Sequence, residues 1–102
     1  MEAPVINVLF LFPKSADAKE VDDFLANRLI PAHKQAPDVR SLKVSDGDLM
    51  SPGGPPPYAK VVEVSFDSLN DTMAFVQSQP QDAKERMQAL GALILLYEVN
   101  EL

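Results

Sequence analysis

Few residues in this 102-residue chain are equipped for chemistry, and several of them stand where their type is out of place. Glu63 lies in a strand-like run between Val62 and Val64, where a carboxylate is poorly favoured unless it has a partner or lines a wet cavity. Desolvated there, it would hold its proton more tightly and act as a general acid or base, which makes it the candidate catalytic residue. The plainer reading is a strand residue facing solvent or pairing with a lysine. Asn7 interrupts an apolar strand, and its amide would be left unpaired in a dry core. It therefore either lines a cavity or bonds across an interface. Arg28 falls within a helical apolar stripe and either reaches inward toward an anionic group or snorkels to the surface. His33 lies on the flank of that stripe, where an exposed or capping histidine is the simpler reading and a proton shuttle the alternative. Tyr97, with Glu98 beside it, closes the last strand and serves either a pocket or a dimer interface.

The remaining composition narrows the chemistry. With no cysteine and one histidine, the chain offers no disulfide, no thiol nucleophile and no Cys or His cluster for a metal. No nucleophile–base–orienter triad can be assembled either. Acid–base chemistry without a thiolate- or histidine-bound metal is what these residues allow. A net charge of −6 and the absence of a basic cluster argue against nucleic acid and against an anionic membrane surface. No apolar stretch approaches the roughly 18 residues that a membrane span needs. The start Met1-Glu2-Ala3-Pro4 lacks the positive region of a signal peptide, so a cytoplasmic location is expected. Asn70-Asp71-Thr72 fits the glycosylation pattern but is better read as the start of a helix.

These residues must be held by elements that the hydrophobic pattern outlines. Val5 to Phe12 is almost continuously apolar up to Pro13, the mark of a strand buried on both faces. Ser15-Ala16-Asp17 can cap a helix whose stripe is Val21, Phe24, Leu25, Leu29 and Ala32. Pro31 inside it removes a hydrogen bond and predicts a kink or a break into a second short helix. Val39 to Asp46 alternates apolar and polar residues, as a strand wet on one side does. The proline- and glycine-rich stretch from Asp46 to Pro57 is a long loop, of a kind often functional or mobile. Tyr58 to Phe66 is the next strand, with Asp67 or Ser68 as the following cap. Leu69, Met73 and Val76 predict the stripe of the second helix, which Pro80 interrupts. Gln81 to Leu90 continues as a short helix with Met87 and Leu90 inward, closed by Gly91, and Ala92 to Val99 is the last strand.

The order β-α-β-β-α-β, in one domain spanning residues 1–102, predicts an α+β ferredoxin-like sandwich with both helical units on one face of the sheet. The first and third strands should be central and the second an edge. The other sheet face then lies open, carrying Val5, Leu9 and Leu11 or their alternating neighbours. Each such side chain gains about 1.5–3 kcal/mol on full burial, and large apolar patches mark interfaces. A homodimer formed through the sheet face, a dimeric α/β barrel, is the simplest cover.

Leu9 to Pro13 (Leu-Phe-Leu-Phe-Pro), the Pro31 region, and Gly54-Pro55-Pro56-Pro57-Tyr58 running to Glu63-Val64-Ser65-Phe66-Asp67-Ser68 resemble the EthD-type proteins of the dimeric α/β barrel superfamily. The likeness implies a cofactor-free small-molecule barrel and places the Tyr58 hydroxyl at its mouth, unless Tyr58 simply packs on the loop. Family members often carry a His-x-Pro arrangement before the helix proline, and here the histidine position is Leu29. Residues and resemblance together lead to the expectation of a homodimer binding a small, mostly apolar molecule between sheet and helices, lined by Glu63, Asn7, Tyr58 and Arg28, with His33 and Tyr97 as further ligand-binding candidates. In one version it is a metal-free catabolic enzyme, an oxidoreductase or lyase acting in ether degradation or in aromatic or polyketide-type degradation or tailoring. In the other, which the missing histidine favours, it is a non-catalytic binding or stress-related module.

Overall fold

A computed structural model of the chain describes residues 5–100. Residues 1–4, on which the expectation of no signal peptide rests, lie outside the described residues, as do residues 101–102. The elements run β1 (Val5–Pro13), α1 (Ala18–Phe24), α2 (Ile30–Gln35), β2 (Val39–Val44), β3 (Tyr58–Phe66), α3 (Leu69–Ser78), α4 (Gln81–Ala89) and β4 (Leu93–Val99), with a widened turn, Leu25–Leu29, joining α1 to α2. The sheet is antiparallel in the order β2-β3-β1-β4. β1 and β3 are central and β2 is an edge, as the alternation of its residues predicts. This is the α+β ferredoxin-like sandwich, its helices gathered on one sheet face.

Local chemistry sets the boundaries. The Asp17 carboxylate accepts from the amides of Lys19 and Glu20 at 2.9 and 3.1 Å and starts α1. Ser68, rather than Asp67, starts α3, its hydroxyl accepting from Asp71 N–H at 3.1 Å. The Asn70–Thr72 sequence thus forms the first turn of a helix. Pro31 has no N–H to give and its ring would crowd the carbonyl a turn earlier. The chain answers with a π turn just before it, in which the Ile30 amide donates five residues back to Leu25 O. Pro31 then sits in the first turn of α2, where a missing donor costs nothing.

Alternation along β1 divides the molecule. Val8, Phe10 and Phe12 point to the helices and bury themselves with Val62, Val64 and Phe66 of β3 and with Val21, Phe24, Leu25 and Leu29. The opposite face presents Leu9 and Leu11, with Leu93, Leu95, Tyr97 and Val99 of β4 beside them. Of the alternatives for the open face, the set containing Leu9 and Leu11 is the one realised. Leu95 and Tyr97 are 43% and 41% exposed there, so an apolar surface remains that the chain's own helices do not reach.

The stripe expected on α3 is realised in part. Met73 and Val76 face the sheet side but border an open space and stay partly exposed, and Leu69 is exposed, whereas Thr72 is fully buried and Phe75 is half-buried against the core. Thr72 enters the core without an unpaired hydroxyl because its Oγ1 donates to Ser68 O at 2.9 Å. A polar residue so satisfied disguised the part of the inward face that packs on the core. α4 has no buried residue of its own; it is tethered by half-buried Met87 and by Leu90 just after it. There the chain reverses through Gly91, whose amide donates to Gln88 O while that of Ala92 donates to Met87 O, both orphan carbonyls of the helix end being met.

Gly91 has φ +76°, and a β-carbon there would lie 3.3 Å from Pro13 Cγ. Gly91→Ala is expected to destabilise the fold by about 1–2 kcal/mol, read as a lower denaturation midpoint at unchanged m-value in urea unfolding.

Candidate functional site

Between the helices and the β1–β4 half of the sheet lies a cavity of about 630 Å³. Its floor is Val8 and Phe10 of β1 with Ile94 and Leu96 of β4; one wall comes from Phe24, Leu29 and His33, the other from Met73 and Val76 of α3 with Ala83 and Met87 of α4. Ile94 and Leu96 face the helices yet remain 44% and 42% exposed, so side chains do not fill this space. The volume falls within the range of about 300–1,000 Å³ found for small-molecule sites, and so does the character, apolar with few polar groups.

Those few polar groups include His33. Sequence reasoning favoured an exposed or capping histidine, but the structure buries it at 4% exposure. Its ring packs edge-on to Phe10 at 5.7 Å between centroids and against Phe75 at 4.5 Å. His33 follows Leu29 by one helical turn, so the two share a helix face, and that spacing was the available signal. Nδ1 lies 2.7 Å from Leu29 O. A carbonyl only accepts, so Nδ1 carries the hydrogen and Nε2 keeps its lone pair. Burial holds the imidazole below its ordinary pKa, outweighing the opposing effect of the Leu29 bond. The result is a neutral base with a fixed tautomer on the wall of an apolar cavity.

Arg28 also reaches the cavity wall, but its guanidinium neither binds an internal anion nor floats free. It grips Asp82 of α4 through two bonds, Nη1 to Oδ2 at 3.0 Å and Nη2 to Oδ1 at 3.2 Å. The pairing raises the Arg28 pKa and lowers that of Asp82. Both partners are solvent-exposed, so this fork chiefly fixes where α4 sits relative to the first helical unit. Asp82, like the cavity-lining Phe75 and Lys84, carried no signal in the sequence that would have marked it.

The expected lining is otherwise corrected. Asn7, Glu63 and Tyr97 lie on the open sheet face, away from the cavity, because they alternate with the residues that enter the core. There they form a network: Asn7 Nδ2 donates to Glu63 Oε1 at 3.0 Å and to the Tyr97 hydroxyl at 3.3 Å, while Ser65 Oγ donates to Asn7 Oδ1 at 2.8 Å. Asn7 thus meets its needs inside the sheet and does not line the cavity. Tyr58 stands opposite Pro13 at the sheet's end, beyond the cavity. Among the described residues, no group of three or more His, Asp or Glu is placed to hold a metal ion, and no helix is long and apolar enough to cross a membrane.

A pH test isolates His33. Because its folded pKa lies below the ordinary value of 6.5, the unfolded chain binds its proton first. The neutral ring's contribution is then complete above pH 6.5 and declines as pH falls from there toward the folded pKa, with a slope of at most about 1.4 kcal/mol per pH unit. Urea unfolding between pH 8 and pH 5 should show this decline in the wild type and a shallower one in His33→Phe, whose ring suits a Phe10–Phe75 sandwich.

No protein-family profile matches the chain, and no curated protein matches it in sequence. Solved structures do. An EthD-family protein from Bacillus halodurans superposes with a TM-score of 0.68 at 19% identity, over 96% of this chain and 99% of that one. SnoaB, a cofactor-independent oxygenase from Streptomyces nogalater, gives 0.72 at 13% identity, over 98% and 97%. A DABB-family protein with a ferredoxin-like fold from Mesorhizobium loti gives 0.66 at 16% identity, over 97% and 98%. The likeness to EthD-type proteins read from the sequence therefore holds in three dimensions: this chain has the ferredoxin-like fold seen in EthD-family and DABB-family structures.

Proposed function

We propose that the chain is the protomer of a homodimeric α/β barrel that binds a small, largely apolar molecule between its sheet and its helices. The observation that carries this reading is the cavity itself, about 630 Å³ and apolar on floor and walls. An empty space of that size beside a tight phenylalanine core forfeits packing energy, which a bound apolar molecule would recover. Its polar groups, among them His33 on the wall and Arg28 toward α4, are few enough to orient a ligand without holding a water-filled pocket. The chemistry open to such a site is proton transfer without metal, in keeping with the cofactor-independent oxygenase among the similar structures.

The dimer is supported by the open sheet face, where Leu9, Leu11, Leu93 and Leu95 lie on adjacent strands in register. A second copy related by a two-fold axis would cover this patch with the same patch. In this reading Glu63, Asn7 and Tyr97 belong to the interface between the sheets, and Glu63 does not touch a molecule held in the cavity.

Two measurements test the two halves separately. Light scattering at micromolar concentration should give a dimer mass, and Leu95→Glu, which places a charge in the patch without touching the cavity, should shift it to the monomer; a wild-type monomer would end the barrel reading. A thermal-shift screen of small aromatic and alicyclic compounds should find stabilising ligands, about 2.7 kcal/mol of stabilisation being expected at a hundredfold excess over Kd. Ala83→Trp, which fills the cavity from α4, should abolish the response, and a ligand response unchanged by it would place binding elsewhere.

A further inference from the structure

We infer that His33 Nε2 is the recognition point of the cavity, and that the bound molecule is an apolar ring system carrying one weakly acidic hydroxyl, a phenol or an enol, which donates to that nitrogen. The inference rests on the cavity reading above and adds to it the chemical class of the occupant.

The argument begins with the backbone. Leu29 O, 2.7 Å from Nδ1, commits the ring's only hydrogen to that side, leaving Nε2 as an acceptor and nothing else. Phe10 and Phe75 pack against the ring, so its plane is set by core residues. His33 makes no other side-chain hydrogen bond within the described residues, although it lines the cavity. An acceptor in an apolar space selects for a donor, because a ligand without one leaves it unpaired after water is expelled.

The charged groups on the cavity wall are Arg28 and Lys84. Arg28 is committed to Asp82, and both are cations, which disfavour a further positive charge on His33. The lowered pKa of the ring has a separate cause, its burial. A ligand supplying an ammonium group would thus meet a cationic wall, and an anionic ligand would present a charge to a nitrogen that only accepts. A neutral hydroxyl fits both conditions. Phenols and enols are favoured over alcohols because the strength of the bond rises as donor acidity approaches that of the imidazolium.

The single histidine of the chain makes the test direct. In protein labelled with ¹⁵N at the imidazole, spectra at pH 8 should show a neutral ring protonated at Nδ1, and addition of 2-naphthol should shift Nε2 upfield as it accepts the new bond. A ring carrying its hydrogen on Nε2 would overturn the inference. Titration calorimetry with 2-naphthol and with 2-methoxynaphthalene, which has the same rings and no donor, should show a five- to tenfold preference for the naphthol, about the size of one net hydrogen bond. In His33→Phe the preference should vanish while the ether still binds, which separates loss of recognition from loss of fold. Equal binding of the two probes by the wild type overturns this inference and leaves the cavity reading standing. Binding of neither overturns both.

Discussion

β1 is hydrogen-bonded along both edges and apolar on both faces, and one layer of helices can cover only one of them. The rest of the structure follows from that constraint. The face bearing Val8, Phe10 and Phe12 is driven against Phe24, Leu25 and Leu29 and fixes the core; the face bearing Leu9 and Leu11 is left to solvent together with half of β4. The energetic pressure toward association is therefore built into the central strand, and the sheet order β2-β3-β1-β4 concentrates it on the β1–β4 side. β2, the other edge, carries Arg40 and Lys43, charges that discourage edge pairing.

The cavity has the same origin seen from the helix side. β4 is an edge strand whose helix-facing residues, Ile94 and Leu96, need cover from α3 and α4, yet Pro80 separates those two helices and α4 buries nothing of its own. A helix with so small an apolar anchor cannot collapse onto the sheet. What positions it is a turn at Gly91, the side chains of Met87 and Leu90, and the Arg28–Asp82 fork. The space is thus a consequence of a polar helix placed over an apolar edge strand.

Polar groups are treated differently on the two faces. On the open face, Ser65, Glu63 and Tyr97 meet the Asn7 amide within the sheet, so covering this face does not strand that amide. On the helix face, His33 is tied at Nδ1 and free at Nε2. An amide met within its own sheet suits a face to be covered, and a half-satisfied ring suits a ligand.

Hydrophobic period, proline positions and capping residues determined the order of elements, the edge placement of β2, the two-piece helical units and the exposed apolar face, because each is set by residues within a few positions of one another. The sequence also marked Asn7, Glu63, Arg28, His33 and Tyr97 as unusual, and all but one of these prove to be hydrogen-bonded to side chains far along the chain. What it could not decide was to which side of the sheet each points, since Asn7 and Val8 differ by one residue and a strand turns successive side chains to opposite faces. That parity moved Glu63 and Asn7 out of the cavity, and burial under Phe75, forty-two positions later, turned His33 from a surface residue into a neutral base. The inward face of α3 was legible only in part for the same reason: a threonine enters a core only when its hydroxyl is met locally, and that bond exists only once the helix has formed. Such facts belong to packing across the chain, and only the tertiary structure decides them.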